Sequence, residues 1–95
     1  MTQPDERVWP RGTVEYLEAT VTADVVIADD DPVAFTFDRE TFHTAEWTGI
    51  AGNTRTCRVL LDDTLLPAAP ASDVYVRVTD NPEIPLIPAG TLLIV

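Results

Sequence analysis

Lysine is absent from this chain of 95 residues, and six arginines are left to face sixteen aspartates and glutamates. The formal net charge of −10 excludes the broad basic surface that nucleic acid and anionic membranes demand. Cysteine occurs once, at Cys57, so neither an internal disulfide nor a cysteine-based zinc site can form. Histidine and serine are equally scarce, with only His43 and Ser72. A Ser-His-Asp relay would have to unite both unique residues, and a Cys57–His43 pair would need a nucleophile on an inward strand position. We read no catalytic residue and no cofactor, and expect a protein that is not an enzyme. No apolar run approaches the ~18 residues of a membrane span. The opening Met-Thr-Gln-Pro-Asp-Glu-Arg-Val-Trp-Pro-Arg-Gly lacks the basic start and apolar stretch of a signal peptide, so a soluble protein made in the cytosol is expected.

Helical 3.6-residue periodicity is also missing over even three turns, and what stands in its place is period two. Residues 1–12, with Pro4 and Pro10 and no periodic pattern, read as an extended arm, loose or laid on a neighbour. From residue 13 to 95 one domain is expected. Leu17, Ala19 and Val21 share a face in the first strand, followed by the apolar run Val25-Val26-Ile27. The cluster Asp29-Asp30-Asp31-Pro32 turns the chain. Val33, Phe35 and Phe37 alternate inward, with Ala34, Thr36 and Asp38 outward. Residues 44–48 form a short strand around Trp47, and Gly49 to Asn53 supply a turn. Cys57, Val59 and Leu61 face inward on the next strand, which makes Cys57 a small buried hydrophobe. Residues 65–72 form a loop with room for one short helical turn. Val74, Val76 and Val78 alternate with Tyr75, Arg77 and Thr79. Pro82, Pro85 and Pro88 then bias the chain to extended conformers without ladder donors, Ala89-Gly90 turns, and residues 91–95 close the chain as a last strand that puts at least one of Leu92 and Ile94 in the core. Short strands at spacings near ten residues predict an all-β fold, an immunoglobulin-like antiparallel β-sandwich of six to seven strands, with a small β-barrel as the alternative.

The carboxylates Asp29 to Asp31, Asp62, Asp63, Asp80 and Glu83 all fall in predicted loops, where calcium sites gather oxygen ligands. No run has the spacing of a calcium hand, and aspartate in turns usually bonds its own backbone, so no metal site is assigned. Trp47 beside Glu46 is either a sugar-stacking platform or a partly buried lid of the core. Trp9 is a large aromatic in a polar tail with no evident core to join, which reads as an anchor on a partner. Ile84, Leu86 and Ile87 stand on a segment stiffened by three prolines, so that ordering it on binding costs little entropy. Trp9, Ile84, Leu86 and Ile87 are therefore the candidate partner-binding residues.

The strings Val33-Ala-Phe-Thr-Phe-Asp, Ala45-Glu-Trp-Thr-Gly and Thr54-Arg-Thr-Cys-Arg-Val-Leu-Leu, and above all Tyr75-Val-Arg-Val-Thr-Asp-Asn-Pro-Glu-Ile-Pro-Leu-Ile-Pro-Ala-Gly, resemble small proteins encoded among the head and neck genes of tailed actinobacterial phages. The likeness runs from about Gly12 to Val95. Relatives often carry a glycine-containing turn after the second phenylalanine, where this chain has Asp38-Arg39-Glu40-Thr41. The resemblance implies a virion structural protein of immunoglobulin-like type, most simply a capsid decoration or auxiliary head protein. Its expected partners are major capsid or neck proteins, with homo-oligomers in the particle. A neck or tail attachment protein is the nearest alternative, and a module for host-surface carbohydrate or protein is the alternative of a different class.

Overall fold

The computed structural model describes residues 5–79 and 84–95. Among these described residues eight strands follow one another without a helix: β1 (Asp5–Trp9), β2 (Glu15–Ile27), β3 (Val33–Thr36), β4 (Phe42–Thr44), β5 (Glu46–Thr48), β6 (Gly52–Leu61), β7 (Ala71–Val78) and β8 (Leu86–Ile94). They form a five-stranded sheet in the order β1-β8-β7-β3-β4 and a three-stranded sheet in the order β2-β6-β5. The two sheets face one another as an immunoglobulin-like β-sandwich, in which last, penultimate and third strands are neighbours. All pairings are antiparallel except that of β1 with β8.

Alternation builds the core as expected. Leu17 and Val21 of β2, Cys57, Val59 and Leu61 of β6, Val33 and Phe35 of β3, Val74, Val76 and Val78 of β7, and Leu92 and Ile94 of β8 are all buried. Phe37 lies just past the end of β3 and packs half-buried against them. The expected outward positions on β3 are different, because Ala34 and Thr36 are buried as well. Their strand is flanked by β4 and β7, and the Arg77 guanidinium lies 3.7 Å from the Phe42 ring centroid across it. That stacked pair covers what a lone strand would expose.

The turn after β3 needs one residue in the left-handed region, and Arg39 supplies it with φ of 64°. A glycine would take this conformation without steric cost. Here the turn is held instead by side chains: Thr36 Oγ1 accepts from the Arg39 amide at 2.9 Å, and Asp38 Oδ1 accepts from the Glu40 and Thr41 amides at 2.8 Å each. Donation from Thr41 and then Glu40 holds the Asp38 carboxyl below its ordinary range.

The expected strand of residues 44–48 is divided. Phe42–Thr44 pairs with β3 and Glu46–Thr48 pairs with β6, so the chain changes sheets at Ala45, whose amide donates to the Val33 carbonyl at 2.9 Å. This crossing closes one side of the sandwich. At the other end of the sequence the last strand starts at Leu86 rather than Thr91 and contains Pro88. Ala89-Gly90 is a bulge and not a turn: Val74 faces Gly90 while Tyr75 faces Pro88, and Gly90 takes φ of 145°. Among the described residues, the pairing of β8 with β1 begins at Gly90, so Pro88 is paired on one side only, where a missing donor is tolerated.

The largest departure concerns the arm. Residues 5–9 form β1 on the chain's own β8, and Trp9 is 1% exposed. Its position rules out the anchoring of a partner through this side chain. A pattern too short for periodicity hides a strand in which one tryptophan carries the docking, since burying about 200 Å² of aromatic surface stabilises by about 5 kcal/mol. The turn behind it is fastened by the Thr13 amide on the Pro10 carbonyl at 3.2 Å and by the Gly12 amide on Asp63 Oδ1 at 2.8 Å. Truncating Trp9 to Ala is expected to cost about 3–5 kcal/mol in urea unfolding of the monomer, while Val8→Ala, at a position 57% exposed, stays within about 0.5 kcal/mol. Equal losses from the two would show that the arm does not dock.

Candidate functional site

Strand directions decide which loops meet. β2, β5 and β7 end where β3, β6 and β8 begin, so the 28–32 turn, the 49–51 turn and the approach to β8 share one end of the sandwich. The 28–32 turn closes on itself, with the Ala28 amide donating to Asp31 Oδ2 at 3.0 Å. It is tied to β7 by the Thr79 amide on the Pro32 carbonyl at 2.9 Å, and β7 to the β8 approach by the Val78 amide on the Pro85 carbonyl at 3.2 Å.

Arg55 lies beneath this end with its side chain 1% exposed. Its Nη1 donates to the Ile27 carbonyl at 3.2 Å and meets Asp29 Oδ1 at 2.7 Å, while Nη2 donates to the Gly49 carbonyl at 3.2 Å. One guanidinium thus ties the end of β2 to two turns. It also stands 5.6 Å from the Trp47 ring centroid, and Trp47 Nε1 donates to the Asp31 carbonyl at 2.7 Å. Trp47 is a half-buried lid. Arg55 belongs to no motif, although parity marks it: it shares the inward face of β6 with Cys57, Val59 and Leu61.

Around this support exposed apolar side chains stand beside the exposed carboxylates of Asp29 and Asp30. Ile84 is 56% exposed, Ile50 88% and Val26 58%, with Val25 and Leu86 also exposed. Ile87 is half-buried against the core. The four candidate partner residues are therefore not brought together: Ile84 and Leu86 stand at the loop end, Ile87 turns partly inward, and Trp9 faces Ile94 at the far end of β8. Val25, Val26 and Ile50 join the first two in their place. Beside them a half-open cleft of about 420 Å³ is lined by Asp29, Asp30, Asp31, Glu46, Trp47 and Arg77 among others.

The acidic turns do not converge. Asp62 and Asp63 follow β6 at the opposite end, where Asp62 accepts from the Thr64 amide and Asp63 from Gly12. Among the described residues no three histidine, cysteine, aspartate or glutamate side chains are grouped to hold an ion; Asp80 and Glu83 lie outside them. His43 is on β4 and Cys57 on β6, in different sheets. Cys57 is fully buried, donates from Sγ to the Ala19 carbonyl at 3.6 Å, and has its thiol pushed up to about 11 by burial.

Comparison with known protein families, with curated proteins and with solved structures finds no match to this chain. The case for function therefore rests on the residues and their placement. For Cys57 the expected outcome is that a disulfide reagent at neutral pH labels the native protein no faster than it unfolds. Rapid labelling under native conditions would return the thiol to the list of reactive groups.

Proposed function

We propose that this chain is a non-enzymatic structural protein of a virion, a decoration or auxiliary head protein that binds capsid subunits through its loop end. The observation that carries the reading is the set of exposed apolar side chains Val25, Val26, Ile50, Ile84 and Leu86 at one end of a small sandwich. Solvated turns favour polar residues, and apolar side chains gathered beyond them mark a surface meant for contact. The phage resemblance supplies the setting. The net charge of −10 suits a particle exterior, since like-charged virions do not adhere. Synthesis in the host cytoplasm and residence in the virion, in homo-oligomers set by capsid symmetry, belong to this reading. A neck or tail position is its variant, distinguished by copy number: hundreds per particle for the head, about six or twelve for the neck.

The cleft favours a second reading of another class, a module for carbohydrate. An aromatic wall, carboxylates and an arginine around about 420 Å³ are the groups that stack on and hydrogen-bond to sugars. Reproducible signals on a glycan array, abolished by changing Trp47, would establish this module and displace the capsid reading.

Replacing Ile84 and Leu86 together by Asp is the direct test of the capsid reading. Both side chains are exposed, so the melting temperature is expected to stay within a few degrees. Attachment to purified heads lacking the protein is expected to fall more than tenfold. Attachment at full strength overturns the assignment of this end as the interface.

A further inference from the structure

We propose that β2 pairs with β2 of a second copy, joining two three-stranded sheets into one of six strands. In the immunoglobulin layout a first strand normally lies beside the second. Here β1 has gone to the other sheet, and β2 forms the edge of the order β2-β6-β5, paired on one side only among the described residues. It is 13 residues long, and its pairing with β6 is regular from Glu15 to Thr22 before the register shifts. Native proteins shield such edges with charged side chains, lysine above all, with proline, a bulge or a covering segment. Residues 15–22 have no lysine and no proline, and the irregularity begins only after them.

Which groups face outward along this edge follows from β6. Thr48 Oγ1 donates to the Thr56 carbonyl at 3.1 Å, so that carbonyl points to β5. Thr20, opposite Thr56, then sits in a pair not bonded through the backbone, with its own N–H and C=O directed away from β6. The side-chain contacts Thr20–Thr56 at 3.4 Å and Thr22–Thr54 at 3.2 Å fit the closer approach of such pairs. Tyr16, Glu18, Thr20 and Thr22 thus present the free donors and acceptors.

A second copy is the occupant that this strand matches. An antiparallel pairing with its two-fold axis at Ala19 sets Leu17 against Val21 on the inner face, and Glu18 against Thr20 and Tyr16 against Thr22 on the outer one. No carboxylate faces another, and the paired residues stay within the regular stretch. Moving the axis to Glu18 opposes Glu18 to itself, and moving it to Val21 opposes Glu18 to Asp24. An axis at Thr20 draws Asp24 and the irregular segment into the pairing. Since each copy carries −10, the association should strengthen as salt screens the repulsion.

Analytical ultracentrifugation of the full chain tests this. The expected result is a monomer–dimer equilibrium whose affinity rises several-fold between about 50 and about 500 mM NaCl. Thr20→Pro removes a solvent-facing N–H and the exposed hydroxyl contact with Thr56, neither of them part of the β2–β6 backbone ladder, so it is expected to abolish the dimer and keep the melting temperature within a few degrees. Thr20→Glu, at an exposed position, places carboxylates opposite Glu18 and should weaken the dimer about tenfold. Adding Glu18→Lys to Thr20→Glu should restore it, because the two opposed pairs become attractive. This charge exchange decides the matter even if Thr20→Pro fails to fold. A monomer at about 1 mM in high salt, a dimer indifferent to Thr20→Glu, or no rescue by Glu18→Lys overturns the proposal.

Discussion

One layer of interleaved apolar side chains holds the two sheets together, and no covalent link supports it. Phe35 and Val76, both fully buried on β3 and β7, face Leu17, Val21 and Cys57 of the opposing sheet. A domain of 95 residues has a small core, so each side of the sandwich matters to its closure. On one side the chain itself crosses at Ala45, which brings Trp47 against the Asp31 carbonyl. On the other, β1 extends the larger sheet and lays Trp9 into the same core, with Arg7 and Glu15 meeting at 2.9 Å across the gap between sheets. The core therefore dictates where the loops end up and, with β1 in the larger sheet, leaves β2 at an edge of the smaller one among the described residues.

Alternation was legible wherever a strand has one wet face. The inward faces of β2, β6 and β7 could be read from Leu17, Val21, Val59, Val76 and Val78, and all five are buried. Features that depend on distant parts of the chain could not be read this way. Nothing local says that residues 5–9 will find β8, that Thr36 will be covered by Arg77 on Phe42, or that a five-residue strand will divide at Ala45. Pro88 misled for a definite reason: proline excludes a central ladder position, yet among the described residues β8 is paired on one side only at that point.

The loop end was half legible for the same reason. Ile84 and Leu86 stood out because prolines flank them, and both are exposed. The apolar run Val25-Val26-Ile27 did not by itself say which way its side chains face; after the register shift at Thr22 Val25 and Val26 are exposed and Ile27 is buried. Arg55 carried an inward parity that a charged residue seemed to contradict. Three oxygen partners at Nη1 and Nη2 and an aromatic ring offset the burial, although Nε has no partner.

The use of arginine explains the missing lysine and the shape of the charge. Five of the six guanidinium groups lie within 6 Å of a ring centroid: Arg7 over Trp9, Arg39 over Tyr75, Arg55 beside Trp47, Arg58 over Tyr16 and Arg77 over Phe42. The sixth, Arg11, donates to the Pro67 and Ala68 carbonyls. A planar, weakly hydrated cation stacks and bonds in these ways, and an ammonium group does so poorly. The cations are thus spent on internal geometry and leave the acidic surface largely uncompensated. The apolar loop end and the Glu15–Thr22 edge are, among the described residues, two of the places where the fold leaves apolar side chains or backbone groups without a neighbour, and along that edge the carboxylates can be kept apart.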